Sequence, residues 1–190
     1  MIYFTADWHL HHNNIVNLCK RPWLPSDNDS MVLGNCNQVV TEKDILVVIG
    51  DFCLSRELSV WQAYCRRIRA KTILCVRGNH DLVCKNMVGT SNWKVVEEMD
   101  KYCEVVDDGD QVWDTTFDNR RFVLCHYPMR SWNHQHKGAV HLFGHVHGRL
   151  EGQDTGNSID VGIDNQRWGY RPVSLGQIKK WMTTERGMKI

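Results

Sequence analysis

The chain has 190 residues, 42% apolar and 24% charged, with a formal net charge of +1. That length suits one domain over residues 1–190 with a sizeable core, and the near-neutral balance excludes general, counterion-driven binding to polyanions. Eight cysteines at 19, 36, 53, 65, 75, 84, 103 and 125 form no CxxC pair, and several lie inside apolar runs, so a reducing, cytoplasmic location is expected. No apolar run reaches membrane-span length and no basic leader opens the chain, so no membrane association is expected.

The first predicted strand, residues 1–6, ends at Asp7-Trp8-His9, where extended backbone would put Asp7 and His9 on one side and Trp8 on the other. A short helix follows and stops before Pro22, and Asp27 or Asp29 is placed to cap a helix over 30–40. The second strand, 44–49, closes at Asp51. Residues 57–69 carry apolar side chains at 58, 61, 64, 65 and 68, a helical face, while Arg66, Arg67, Arg69 and Lys71 read as its solvated side. The strand 72–76 then stops at a glycine and presents Asn79, His80 and Asp81 on consecutive residues. A helix is expected within 86–102, with Trp93, Val96 and Met99 on one side. Shorter strands are expected near 103–107, 110–116, 121–125, 139–143 and 157–162, and a last helix at 175–184.

Five of these segments share one grammar, a short apolar run that ends in aspartate, histidine or asparagine. In open α/β sheets ligands bind at the carboxyl ends of strands. A single histidine there is more often structural than a ligand, and an aspartate more often caps a loop. The ordered set of Asp7, His9, Asp51, Asn79, His80, His126, His145 and His147 requires all those bland roles to hold at once. A donor set of carboxylate, imidazole and amide without thiolate suits manganese, iron, nickel or zinc in an open catalytic site. It is also too large for one ion. Two ions roughly 3.5–4 Å apart need a bridging carboxylate, for which Asp51 is the natural choice. Glycines 50, 78 and 144 directly precede candidate ligands and would let the backbone turn tightly around them.

Asp7-Trp8-His9, Gly50-Asp51, Gly78-Asn79-His80-Asp81, His126 and Gly144-His145-Val146-His147 resemble, in order and spacing, the five blocks of the calcineurin-like metallophosphoesterase superfamily. The nearer likeness is to its small single-domain bacterial and phage phosphoesterases. Their first block runs Asp-x-His-Phe-Gly-His-x-Asn-Ile, which His12, Asn14 and Ile15 continue here, with Leu10 and His11 standing at the Phe and Gly positions. The segments His126-Tyr127-Pro128-Met129 and Arg171-Pro172-Val173-Ser174-Leu175 also resemble that subgroup.

The resemblance implies an α/β fold of two mixed β-sheets packed as a sandwich and flanked by helices, four layers in all. It implies that Asp7, His9, Asp51 and His147 hold one divalent ion and Asp51, Asn79, His126 and His145 a second, with manganese the first expectation. A hydroxide between the ions would attack a phosphodiester or phosphomonoester in line. His80 would contact the phosphate or protonate the leaving oxygen, and Asp81 would orient or polarise His80. His12, Asn14 and Arg77 are candidate substrate contacts, whereas His11, His134, His136 and His141 read as surface or loop residues. The substrate expected is a phosphate ester, with nucleotides and nucleic acids included. The competing readings are a non-catalytic metal-binding scaffold of the same fold and a nuclease acting on nucleic-acid ends. Oligomeric state is left open.

Overall fold

The side-chain alternation of two strands sets the layering of the computed structural model, which describes residues 1–85, 93–98, 101–106, 111–150 and 156–187. In β1 (Ile2–Thr5) and β2 (Ile45–Ile49), Phe4, Val47 and Ile49 point into one core while Tyr3, Leu46 and Val48 point into another. With β3 (Thr72–Val76), β4 (Trp93–Glu98), β5 (Lys101–Val105) and the two-residue β10 (Val173–Ser174), they form a six-stranded sheet ordered β10-β1-β2-β3-β5-β4. The inner strands β1, β2, β3 and β5 run parallel, and the edges β10 and β4 are antiparallel. Strands buried on both faces read as nearly continuous apolar runs, which is why Ile45 to Ile49 lacks a polar residue.

One face of this sheet is covered by α2 (Asn28–Asn37), through Val32, Leu33 and Cys36, and by α3 (Leu58–Arg67), through Trp61 and Cys65. The other face packs on a second sheet of β6 (Val112–Phe117), β7 (Arg120–Cys125), β8 (Val140–Phe143) and β9 (Ser158–Asp160), in that order. Phe4 sits between the sheets, its ring centroid 5.4 Å from Phe117 and 6.1 Å from Phe122. Burying one such side chain fully contributes about 1.5–3 kcal/mol. The outer face of the second sheet is covered by Trp132, packed with Val123 and Ala139 and donating its indole N–H to the Ala139 carbonyl at 2.9 Å. The last helix, α5 (Leu175–Arg186), is opened by a capping box between Ser174 and Gln177, and its Ile178, Trp181 and Met182 close the intersheet core.

Two shorter helices, α1 (Ile15–Cys19) and α4 (Leu82–Lys85), lie just beyond β1 and β3. Pro22 ends α1 as expected, with Lys20 in the left-handed region. Helix α2 begins two residues before the predicted start, and neither predicted aspartate caps it through a side-chain hydrogen bond. Asp29 instead accepts from the amide of His11 at 3.1 Å and from the hydroxyl of Tyr64.

The helix expected within 86–102 is not what its described part forms. Residues 93–98 are β4, paired antiparallel with β5 in the register Trp93↔Val105 to Glu98↔Lys101. The three-residue spacing of Trp93 and Val96 mimics a helix, but an aromatic and two valines favour a pleated strand, and β5 supplies an open edge to pair with. Residues 86–92 and 99–100 of that expectation lie outside the described residues.

His141, expected on the surface or in a loop, is wholly buried in β8. Its Nδ1 lies 2.9 Å from the Val123 carbonyl and its Nε2 accepts from the Met129 amide at 3.1 Å. A neutral imidazole is both donor and acceptor, so one ring satisfies both backbone groups.

Candidate metal centre

The carboxyl ends of the strands meet because ladder-like bonding continues past them. The Asp7 and His9 amides donate to the carbonyls of Gly50 and Asp51 at 3.1 and 2.8 Å, which lays the loop after β1 beside the loop after β2. Ala6 bridges to Gly162 just past β9, and the Gly144 amide donates to the His126 carbonyl at 3.0 Å, so both sheets deliver residues to one place. Asp7 and His9 do not sit in extended backbone as their spacing suggested. Asp7, His9, Asp51, His145 and His147 all have left-handed φ, between 49° and 70°. Each such residue costs roughly 1–3 kcal/mol and persists only where its surroundings over-determine it.

Two trios of donor atoms meet at the strand ends, Asp7 with His9 and His147, and Asp51 with His126 and His145, each with its atoms within 4.8 Å of one another; a third group of the same kind, Cys19 with His147 and Asp164, lies behind His147. Each aspartate has one oxygen fixed and one free. Asp7 Oδ1 accepts from the His145 amide at 2.9 Å and Asp51 Oδ1 from the His80 amide at 2.8 Å. Asp51 Oδ2 then faces both trios, 3.4 Å from His9 Nε2 and 3.1 Å from His126 Nε2. His126 Nδ1 lies 3.0 Å from the Ile49 carbonyl, which makes it the N–H and leaves the Nε2 lone pair turned inward. Asn79 Oδ1 lies 3.1 Å from His145 Nδ1, beside the second trio.

Asp7 Oδ2, both His9 nitrogens and His126 Nε2 are buried without a hydrogen-bond partner. Orphaned polar atoms of that kind are costly unless something is bound to them. Divalent-cation binding would satisfy them, and the oxygen and imidazole donors match the preferences of such an ion, so these residues fit a metal site.

Burial pushes the His9 ring down to about 3 despite Asp51, so it is neutral and can donate a lone pair. Burial also opposes charge on His126, but Asp51 and Asp7 outweigh it and lift the ring to about 9. His147 is lifted against burial to about 10, first by its hydrogen bond to Asp164 and then by Cys19 and Asp7. Asp51 is held well below the usual carboxylate range because His126 and His9 outweigh its desolvation.

Several glycines around the site leave no room for a Cβ, Gly50 and Gly78 most clearly. Gly50 has φ +81°, and a Cβ there would lie 2.3 Å from His126 Nδ1. A Cβ on Gly78 would lie 2.2 Å from Asp51 Oδ1 and 2.4 Å from the Asp51 amide nitrogen. The glycines before candidate ligands therefore mark where a second strand end presses against the first.

Asp81 stands differently from expectation. Its carboxylate does not meet the His80 ring; it accepts from the amides of Gly78, Asp51, Phe52 and Cys53 at 2.7, 2.9, 2.8 and 3.4 Å. Burial and the neighbouring Asp51 charge raise it to about 6 against those bonds. It fastens the β3 loop to the β2 loop. The His80 ring is half-buried at the centre, 5.2 Å from the His9 ring, and the His12 ring is 5.7 Å from His9. Arg77 is half-buried just past β3, whereas Asn14 is exposed and opens α1.

Three residues that the sequence reading did not single out as site residues complete the site. Arg21 makes a bidentate pair with Asp164, which in turn meets His147 Nδ1 at 2.7 Å. Tyr127 lays its ring 4.7 Å from that of His145. Asp164 follows the apolar run Val161-Gly162-Ile163 in the same grammar as the other blocks, a signal that was present. Arg21, beside Pro22 on a loop, carried none.

The family profile described as calcineurin-like phosphoesterase matches residues 1–149. The uncharacterized protein MJ1445 of Methanocaldococcus jannaschii is 27% identical over 185 residues, covering 94% of this chain and 89% of its own. Among solved structures, the protein of unknown function AQ665 from Aquifex aeolicus superposes with a TM-score of 0.66 at 21% identity, over 95% of this chain and 98% of that one, a likeness of fold.

Proposed function

Because the chain belongs to the calcineurin-like phosphoesterase family, we propose that it is a dinuclear metal-dependent hydrolase of phosphoric esters, with phosphodiesters favoured over phosphomonoesters. The observation that carries this reading is Asp51 Oδ2, which lies between His9 Nε2 and His126 Nε2 at 3.4 and 3.1 Å while both nitrogens lack a hydrogen bond. In this reading Asp7, His9, Asp51 and His147 hold one ion and Asp51, Asn79, His126 and His145 the other. When bound, two divalent ions activate water and neutralise charge developing on the phosphoryl oxygens.

The protein's own groups then divide the work. Asp7 and Asp51 offer one oxygen each inward because backbone amides fix the other. His80, half-buried with its amide on Asp51, is in this reading the group that gives a proton to the leaving oxygen. Asp81 serves as a positioning residue that fixes the Asp51 loop. His12 and Arg77 are the better candidates to contact the phosphate, and Asn14 is the weaker one because it is exposed at the start of α1. We read the chain as one domain working in a reducing cytoplasm, on phosphate esters that include nucleotides or nucleic acid. Among the described residues, no helix is long and apolar enough to cross a membrane.

The test is hydrolysis of bis-p-nitrophenyl phosphate and p-nitrophenyl phosphate by apoprotein reloaded with manganese, iron, nickel or zinc. Turnover of the diester by the manganese form is expected. Loaded protein that leaves both esters intact would replace this reading with that of a metal-binding scaffold.

A further inference from the structure

The four imidazoles of the centre are backed by unequal groups. His126 Nδ1 meets a neutral carbonyl of Ile49 at 3.0 Å, and His145 Nδ1 meets the neutral amide oxygen of Asn79 at 3.1 Å. His9 Nδ1 is buried with no hydrogen-bond partner. His147 alone of the four has a carboxylate within hydrogen-bond distance of Nδ1, Asp164 Oδ2 at 2.7 Å, with Cys19 Sγ beside it at 3.2 Å; the carboxylate nearest His126 Nδ1, Asp7 Oδ1, is 4.0 Å away. An ionised carboxylate can only accept, so Nδ1 carries the proton and Nε2 is left as the ligand atom toward Asp7 and His9.

Asp164 is itself held. Arg21 Nε and Nη2 reach its two oxygens at 2.8 Å each, and the pair is sealed from solvent, with side-chain exposures of 0% and 3%. The remaining guanidinium donors go to the carbonyls of Asp7 and Trp8 at 2.7 and 3.1 Å and to Asn28 Oδ1 at 2.8 Å. One buried arginine therefore fixes the strained Asp7 backbone and the carboxylate behind His147 together, and Asp7 and His147 belong to the same trio. In the other trio the Asp51 backbone is anchored by Asp81, but among the described contacts no buried ion pair stands behind its imidazoles.

We propose that the Arg21–Asp164 pair is a positioning device that makes the ion held by Asp7, His9 and His147 the tighter of the two, so that the centre fills in a fixed order. This rests on the two-ion reading. An oriented carboxylate behind a ligating imidazole typically changes metal affinity by roughly 10–100-fold.

The experiment is titration of apoprotein with manganese, following free and bound ion by electron paramagnetic resonance, for the wild type and Asp164→Asn. The wild type should fill in two steps. In the variant the tighter step should weaken by about 10–100-fold while the weaker step stays within about 2-fold. Arg21→Lys, which keeps the charge but loses the fork, should show the same selective loss in smaller measure. Two unchanged steps, or equal weakening of both, overturn the proposal. Should neither variant fold, the wild type alone decides through ring nitrogen shifts on adding zinc. One equivalent should move His147 and His9 before His126 and His145, and the reverse order overturns the proposal. A wild type that takes up two ions without order sinks only this inference. One that takes up fewer than two sinks the two-ion reading and the ordering with it.

Discussion

The His11 amide donates to the Asp29 carboxylate at 3.1 Å, tying the loop after β1 to the first turn of α2. His11 holds φ 63° at the position where the block it resembles in sequence has glycine. A left-handed conformation costs a non-glycine residue about 1–2 kcal/mol, and here a carboxylate shared with Tyr64 of α3 sustains it. His11→Gly should relieve that strain but lose roughly 0.5–1 kcal/mol to the freer unfolded chain, for a net gain of up to about 1.5 kcal/mol. Asp29→Ala should cost about 1–3 kcal/mol. Urea midpoints of the two variants test this, and a His11→Gly protein less stable than wild type would show that the imidazole has a role beyond filling the turn.

His141, which belongs to neither trio, gives the protein an acid-sensitive contact. Burial lowers its ring to about 4 despite the backbone carbonyl it donates to. The folded value lies below the unfolded value near 6.5, so below pH 6.5 the unfolded chain binds a proton that the native one refuses. Stability from this group is therefore full above pH 6.5, falls as the pH drops toward 4, and is lost below that. Over that window the shift corresponds to about 3 kcal/mol. Gln can donate to Val123 and accept from Met129 without titrating, so His141→Gln should flatten this part of the profile. Unfolding free energies of both proteins from pH 7.5 to 4 check it, and parallel curves would remove His141 as the cause.

Much of the arrangement was legible because the chemistry of a strand end is local. An apolar run that stops at Asp or His names both the strand and the residue it presents, and Asp7, Asp51, His126 and His145 follow that rule. Left-handed backbone at Asp7 and His9 could not be read, since it follows from amides pairing with the β2 loop, far along the chain. The same holds for Asp81. Its place beside His80 suggested a catalytic partner, whereas three of its four amide donors come from the β2 loop. Strand β4 was misread because Trp93 and Val96 satisfy a helical spacing, and only the open edge of β5 decides between the two.

The role of Asp81 separates two mechanisms. If it fastens loops, Asp81→Asn leaves one acceptor oxygen for four amides and turns a donor toward them, at a cost of about 2–4 kcal/mol in stability. Ion affinity should fall with it, since Asp51 loses its anchor, and the pH dependence of any remaining turnover should keep its shape. Calorimetric melting and metal content measure the first two effects. A variant with wild-type stability and full ion content but a displaced pH optimum would return Asp81 to a partnership with His80.

Gly78 and His80 belong to one loop yet should fail in different ways. Alanine at 78 puts a methyl 2.2 Å from Asp51 Oδ1, so the carboxylate that faces both trios must move. Gly78→Ala should lose ion binding by at least about 10-fold, comparable to disturbing a ligand's support, and Asp51→Asn should do the same by removing the charge. His80 supplies no atom to either trio, and its amide bond to Asp51 survives truncation of the ring. His80→Ala should therefore keep both ions while turnover falls by about 10²–10⁴, the range for loss of a general acid. Metal content by plasma mass spectrometry, set beside single-turnover rates, distinguishes the variants. Because an aryloxide leaves without protonation, the deficit of His80→Ala should also be smaller with p-nitrophenyl esters than with alkyl esters. An equal deficit for both leaving groups would move His80 from proton donor to phosphate contact.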